Sequence, residues 1–214
     1  MNKRNFLIKT TSLLCLASLT ELAFGAAPIS NKKLFSELEV PQPTETGKIE
    51  VVEFFWYSCP HCALLEPLLQ QWEKELPADV LLRRVPTAFN AGMKPSQHLF
   101  YTLEAMGRLD LHSQVYQAVN ERHIKMTSRK DILAWATQQN LDEAKFTATF
   151  DSFGVKTKVA RADQMTTGYR VQATPTIGIA GRFTVTPTES GGYQQTINQA
   201  AVLVNETRIS RTKP

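Results

Sequence analysis

Read for the spacing of its apolar positions, the chain alternates between two periods. Residues 49–57 (IEVVEFFWY) form an almost unbroken apolar, β-branched and aromatic run, the pattern of an interior strand covered on both faces. From Pro60 the period becomes helical, with Leu64, Leu65, Leu68, Leu69 and Trp72 at helical spacing. Pro60 suits a first helical turn, where its missing N–H costs nothing; Pro67 is expected to kink the helix, and Pro77 lies just past its end. Residues 80–85 read as a second strand, and strand, helix, strand in this order favours parallel pairing. Helical spacing then dominates at 96–106, 111–122, 128–139 and 142–151, with Ser128 an expected N-cap. These segments read as a compact helical insertion. Another helix covers 154–170, with Val155, Val159, Ala162 and Met165 as its apolar stripe and Lys156, Lys158 and Arg161 as a solvated side. Residues 176–180 and 182–186 flank Ala180-Gly181, a tight hairpin signal. A last helix spans 194–209, with Ile197, Ala201, Val204 and Ile209 available for packing, and Pro28, Pro41, Pro43 and Gly47 mark a leader with a short edge strand at 34–40.

Composition changes this picture little. Of 214 residues, 43% are hydrophobic and 21% charged, ordinary globular usage that excludes a disordered tail protein or a membrane bundle. The N-terminus changes it more. Lys3, Arg4 and Lys9 precede a mostly apolar or small stretch at 13–24, and Ala23-Phe24-Gly25 suits a signal peptidase, so residues 1–25 read as an export signal cleaved before Ala26. The stretch is short and contains Glu21, which argues against a permanent span. A lipoprotein reading of Cys15 is disfavoured by Leu14 ahead of it. Without this segment, 21 basic and 19 acidic side chains remain, a net charge of +2 that offers no concentrated basic surface for nucleic acid. Two cysteines remain, Cys59 and Cys62, too few to staple an exported fold.

Those two cysteines sit at i and i+3 around Pro60 and His61, at a helix start directly after the apolar strand. That spacing makes their side chains neighbours and lets them reach disulfide geometry. It also exposes Cys59 to the unpaired N–H groups and the positive end of the helix, which favour thiolate over thiol. A helix end contributes about 0.3–1 kcal/mol, up to ~2 when partly buried. At about 1.36 kcal/mol per pKa unit, the dipole alone explains a fall of about one or slightly more. A larger fall requires hydrogen bonds from local amides and from His61. A structural zinc site lacks a second cysteine pair, and haem attachment would need His where Ala63 stands. A purely structural bridge would constrain little chain, so redox exchange is the chemistry the motif favours. It needs no metal or organic cofactor.

The run Glu53-Phe54-Phe55-Trp56-Tyr57-Ser58 into Cys59-Pro60-His61-Cys62, then Val171-Gln172-Ala173-Thr174-Pro175-Thr176 and the Ala180-Gly181 hairpin, resembles the DsbA-like thiol:disulfide oxidoreductases of the thioredoxin superfamily. The resemblance covers nearly all of the chain after residue 25. It implies an α/β, thioredoxin-like fold with an inserted helical domain: thioredoxin-like parts at 26–90 and 154–214, the insertion at 91–153. It also implies an acidic first cysteine, an oxidising couple, and a cis Pro175 facing the cysteines, with Pro60, Thr174 and Pro175 forming the substrate-docking surface. From the residues alone, a proline before a strand is more often an ordinary trans edge residue. Glu53 matches the family's acid six positions before the first cysteine; a carboxylate there either takes part in proton transfer or is merely structural. Glu66 matches a second family acid with the same alternatives.

Two departures stand out. Thr174 replaces the more common valine before the proline, and threonine there also occurs among disulfide isomerases. Leu82 stands where an ungapped alignment expects the family's buried lysine, leaving Arg83 or Arg84 as substitutes. His98, His112 and His123 are expected at surface or capping positions, whereas Trp56 and Tyr57 either line the apolar surface around Cys59 or belong to the core. The function implied is a monomeric periplasmic oxidase that donates its disulfide to exported proteins and is reoxidised by a DsbB-like, quinone-linked membrane partner. An isomerase or reductase on the same fold, or a non-enzymatic chaperone using the apolar groove, are the rivals.

Overall fold

The computed structural model describes residues 33–45 and 47–212, so the segment read as an export signal lies outside the described residues. Five strands form one sheet in the order β1-β5-β4-β2-β3: β1 (Ser36–Glu37), β2 (Ile49–Phe55), β3 (Val80–Pro86), β4 (Thr176–Ile179) and β5 (Phe183–Val185). Every residue of β2 is buried, as its uninterrupted apolar pattern requires. β2 pairs in parallel with β3 through the intervening helix α1 (Pro60–Glu75), and antiparallel with β4. The edge strand expected at 34–40 shrinks to two residues, because only Ser36 and Glu37 find partners on β5. The hairpin joining β4 and β5 turns at Ala180 and Gly181, with φ of +52° and +68°. A Cβ at Gly181 would come within 2.1 Å of the Gln42 carbonyl, so glycine is required there.

One face of the sheet is covered by α1 and α8 (Tyr193–Thr212), packing Leu65, Leu69, Ile197, Ala200, Leu203 and Val204 on Ile49, Val51, Ile177 and Ile179. The expected packing role of Ile209 does not hold: its side chain is exposed, and Leu203 supplies the contact instead. The other face carries α6 (Phe153–Gly168) with Val155, Val159 and Ala162 buried. Between β3 and α6 lie α2 (Lys94–Ala105), α3 (His112–Asn120), α4 (Arg129–Gln138) and α5 (Glu143–Phe150). The expected cap starts α4, the Ser128 hydroxyl accepting from the Asp131 N–H, and α5 is started by the Asp142 carboxylate, which accepts from the Lys145 N–H. Their interior is apolar, with Trp135, Phe146, Leu99, Leu103, Ile132 and Met126 buried. A short helix missed in the sequence, α7 (Pro187–Ser190), is held by a capping box between Thr186 and Glu189. α1 runs on through Pro67, whose side chain lies on the exposed side. Among the described residues, no helix is long and apolar enough to cross a membrane.

Candidate active site

The sheet register assembles the site. Because Phe54 pairs antiparallel with Thr176, the chain leaving β2 and the chain entering β4 meet at one end of the sheet. The first delivers Cys59, which is the N-cap of α1 in extended geometry; the second delivers Thr174 and Pro175, joined by a cis peptide bond. Cys59 Sγ lies 3.2 Å from the Thr174 carbonyl oxygen, to which its thiol donates. Asn120 Nδ2 donates to the Tyr57 carbonyl at 2.9 Å, and Thr176 Oγ1 to the Ala173 carbonyl at 2.8 Å, tying down both incoming segments. Pro60 and His61 are exposed beside the sulfur, whereas Cys62 is fully buried; both cysteines are free thiols.

The two thiols ionise in opposite senses. Cys59 falls from an ordinary 9.0 to about 5: the Cys62 thiol donates to it, burial opposes, and the Thr174 side chain and the N–H groups of Cys62 and His61 add to the fall. Burial pushes Cys62 far above the ordinary value, reinforced by its donation to Cys59 and the nearby negative charge. The fall at Cys59 is larger than a helix end supplies, and the extra comes from hydrogen bonds, as the magnitudes demanded. The His61 side chain has its hydrogen-bond partner on another element. Its imidazole Nδ1 is paired at 2.7 Å with the Tyr193 hydroxyl, and His61 reaches the sulfur through its backbone N–H.

Behind the cysteines lies a charged wall. Glu53 is fully buried on β2, and burial raises it well above the usual carboxylate range; Glu66 adds to the rise and Arg84 opposes it. Arg84 is Glu53's direct neighbour on β3 and answers the question left open in the sequence. Its guanidinium lies 3.6 Å from Glu53, 3.1 Å from Glu66 and 2.9 Å from Glu73. Arg83 points elsewhere, to Glu50 and Glu45. Burial pushes Glu66 up, but His112 and Arg84 outweigh it and hold the carboxyl below its ordinary value.

His112 corrects the surface expectation. It is buried, its Nδ1 pairs with the Tyr57 hydroxyl at 2.8 Å, and its Nε2 lies 3.6 Å from Glu66. The inward spacing of His112, Val115 and Tyr116 on α3 was the signal available for it. His98 is half-buried against the Phe150 carbonyl, and His123 is exposed. Tyr57 belongs wholly to the core, whereas Trp56 is half-buried.

The thioredoxin family model matches residues 44–199. The DsbA of Bordetella parapertussis, a thiol:disulfide interchange protein, is 43% identical over 184 residues, covering 85% of this chain and 88% of that protein. The Pseudomonas aeruginosa protein of the same name is 34% identical and spans 98% of this chain and 100% of its own length. The chain belongs to the DsbA family. Its fold agrees with the crystal structure of P. aeruginosa DsbA at a TM-score of 0.81 over 85% of this chain and 95% of that one, at 34% identity. NmDsbA1 of Neisseria meningitidis matches at 0.77 and 25% identity, over 88% and 98% of the two chains. As a DsbA-family member with its cysteines adjacent at a helix start, the chain is a thiol:disulfide oxidoreductase with the family's inserted helical domain.

Proposed function

We propose that the chain works in the periplasm as a disulfide donor to newly exported proteins, with Cys59 as the exchanging sulfur. The carrying observation is the split between the two thiols: about 5 at Cys59, and far above the ordinary value at Cys62. A thiolate held this stably favours the reduced protein over its disulfide, which makes the disulfide a strong oxidant and Cys59 a good leaving group. A substrate thiolate attacks Cys59 Sγ; a mixed disulfide forms and the Cys59–Cys62 bond breaks. Cys62 leaves with the electron pair and takes up a proton from Glu53, whose burial raises it well above the usual carboxylate range, and Glu53 regains a proton given up by a substrate thiol. A second substrate thiolate attacks the substrate sulfur of the mixed disulfide and expels Cys59 as the thiolate. Two electrons pass from the substrate dithiol to the enzyme; one proton ends on Cys62 and the other is released.

Substrate backbone docks beside Pro60 and on the Thr174–Pro175 segment, whose Thr174 carbonyl lies against the reacting sulfur. The chain acts as a monomer and returns to its disulfide through a DsbB-like quinone-linked membrane partner. Cys59→Ser is expected to abolish both oxidation of a reduced unfolded protein and reduction of insulin. Retention of activity would instead support a binding module. The equilibrium constant with glutathione separates oxidase from reductase or isomerase: an oxidase lies far toward its own dithiol form, and a reducing couple overturns the proposal.

A further inference from the structure

The imidazole between the two cysteines has a hydrogen-bond partner outside the motif. His61 stands on the exposed first turn of α1, and its one side-chain hydrogen bond crosses to Tyr193 at the start of α8, 132 residues away in the chain, at 2.7 Å. The rings lie 6.3 Å apart at 32°, so the contact is made edge to hydroxyl rather than by stacking. The phenol is mounted on a fixed base. Gly191, at φ +96°, caps α7 in the left-handed region, and the Gly192 carbonyl just before Tyr193 accepts from the Thr196 hydroxyl at 2.8 Å and the Ser190 hydroxyl at 3.2 Å. Ser190 and Thr196 are buried and pair with each other at 2.9 Å. The Tyr193 ring itself packs on the apolar layer between α8 and the sheet. Holding it in place therefore costs little entropy, while the exposed histidine is the partner that gives up freedom. Neutral imidazole accepts the phenol proton at Nδ1, and imidazolium donates to the phenol oxygen, so the pair persists in both states.

We infer that Tyr193 is a positioning residue that holds the His61 ring off the Cys59 sulfur in the dithiol form and so limits how oxidising the couple becomes. Released from Tyr193, the ring can rotate to donate to the Cys59 thiolate, which favours the dithiol form further. The inference rests on the exchange chemistry proposed above.

The experiment measures the glutathione equilibrium constant of the purified protein, of Tyr193→Phe, of His61→Ala and of the double variant. Phenylalanine keeps the packing and removes only the hydroxyl. Tyr193→Phe is expected to shift the constant toward the dithiol by about two- to tenfold, the span of one ordinary hydrogen bond, and to lower the midpoint of thiolate titration. The shift should vanish in the His61→Ala background, which a merely structural tyrosine would not produce. An unchanged constant in Tyr193→Phe, a shift toward the disulfide, or an equal shift without His61 overturns the inference. A wild-type protein that does not exchange with glutathione at all overturns the proposed function instead.

Discussion

The wall between α1, β2 and β3 and the interior of the helical block are buried alike but built from opposite materials. The block is filled with Trp135, Phe146, Met126 and Leu99, side chains whose burial is favourable without partners. The wall holds Glu53, Glu66, Arg84 and His112, whose burial is costly and only partly offset by their mutual attraction. Neither Glu53 oxygen has a hydrogen-bond partner, and neither does His112 Nε2. A region assembled for stability alone would not leave such groups facing one another. The difference indicates a division of labour: the block stabilises the fold, and the wall sets buried charge behind the cysteines, where Glu53 adds to the rise at Cys62.

The largest expected effect is that of pH. Cys59 has a depressed value in the folded dithiol protein, so its stabilising contribution is complete above the ordinary thiol value of 9.0 and is lost as pH falls through about 5. The disulfide form has no such thiol. The glutathione equilibrium should therefore move toward the reduced protein by about tenfold per pH unit from about 5 upward, flattening below it. A flat profile from 5 to 8 would remove the stable Cys59 thiolate.

Next come two substitutions of similar cost and different consequence. Trp135→Ala empties the block and should cost about 3–5 kcal/mol in chemical denaturation while leaving the glutathione constant unchanged. Arg84→Gln strips the wall's carboxylates of their shared cation and should also cost about 3–5 kcal/mol. It should, in addition, make the couple less oxidising, because a positive charge is lost behind the Cys59 thiolate. If both variants move the constant equally, the two regions are not distinct in function.

Smaller effects sharpen the same contrast. Tyr57→Phe removes the hydroxyl paired with His112 and should lower stability by about 1–3 kcal/mol in the same denaturation assay. Ser128→Ala removes the cap of α4 in the block and should lower it by about 1 kcal/mol, with no change in the thiol titration.

How much of this could be read from the chain depended on distance along it. β2, the start of α1 and Cys59-Pro60-His61-Cys62 are contiguous, and their local patterns and turn chemistry suffice to order them. The hairpin at Ala180-Gly181 and the cap at Ser128 were legible for the same reason. Arg84 was not, because its choice over Arg83 and Leu82 depends on the exact cross-strand register that places it beside Glu53. His112 departs from the expected surface or capping position because its spacing with Val115 and Tyr116 turns it inward. Tyr193 was invisible: nothing local relates it to His61, and only the packing of α8 beside α1 brings them together.

The ionisation of the Cys59 sulfur is read from the ultraviolet absorbance of thiolate as the reduced protein is titrated, with Cys59→Ser as the blank. A midpoint at about 5 that disappears in Cys59→Ser is expected, with no second thiolate forming from Cys62 up to the ordinary thiol range. A midpoint for Cys59 near 9, or a thiolate signal of the same size in Cys59→Ser, would contradict it.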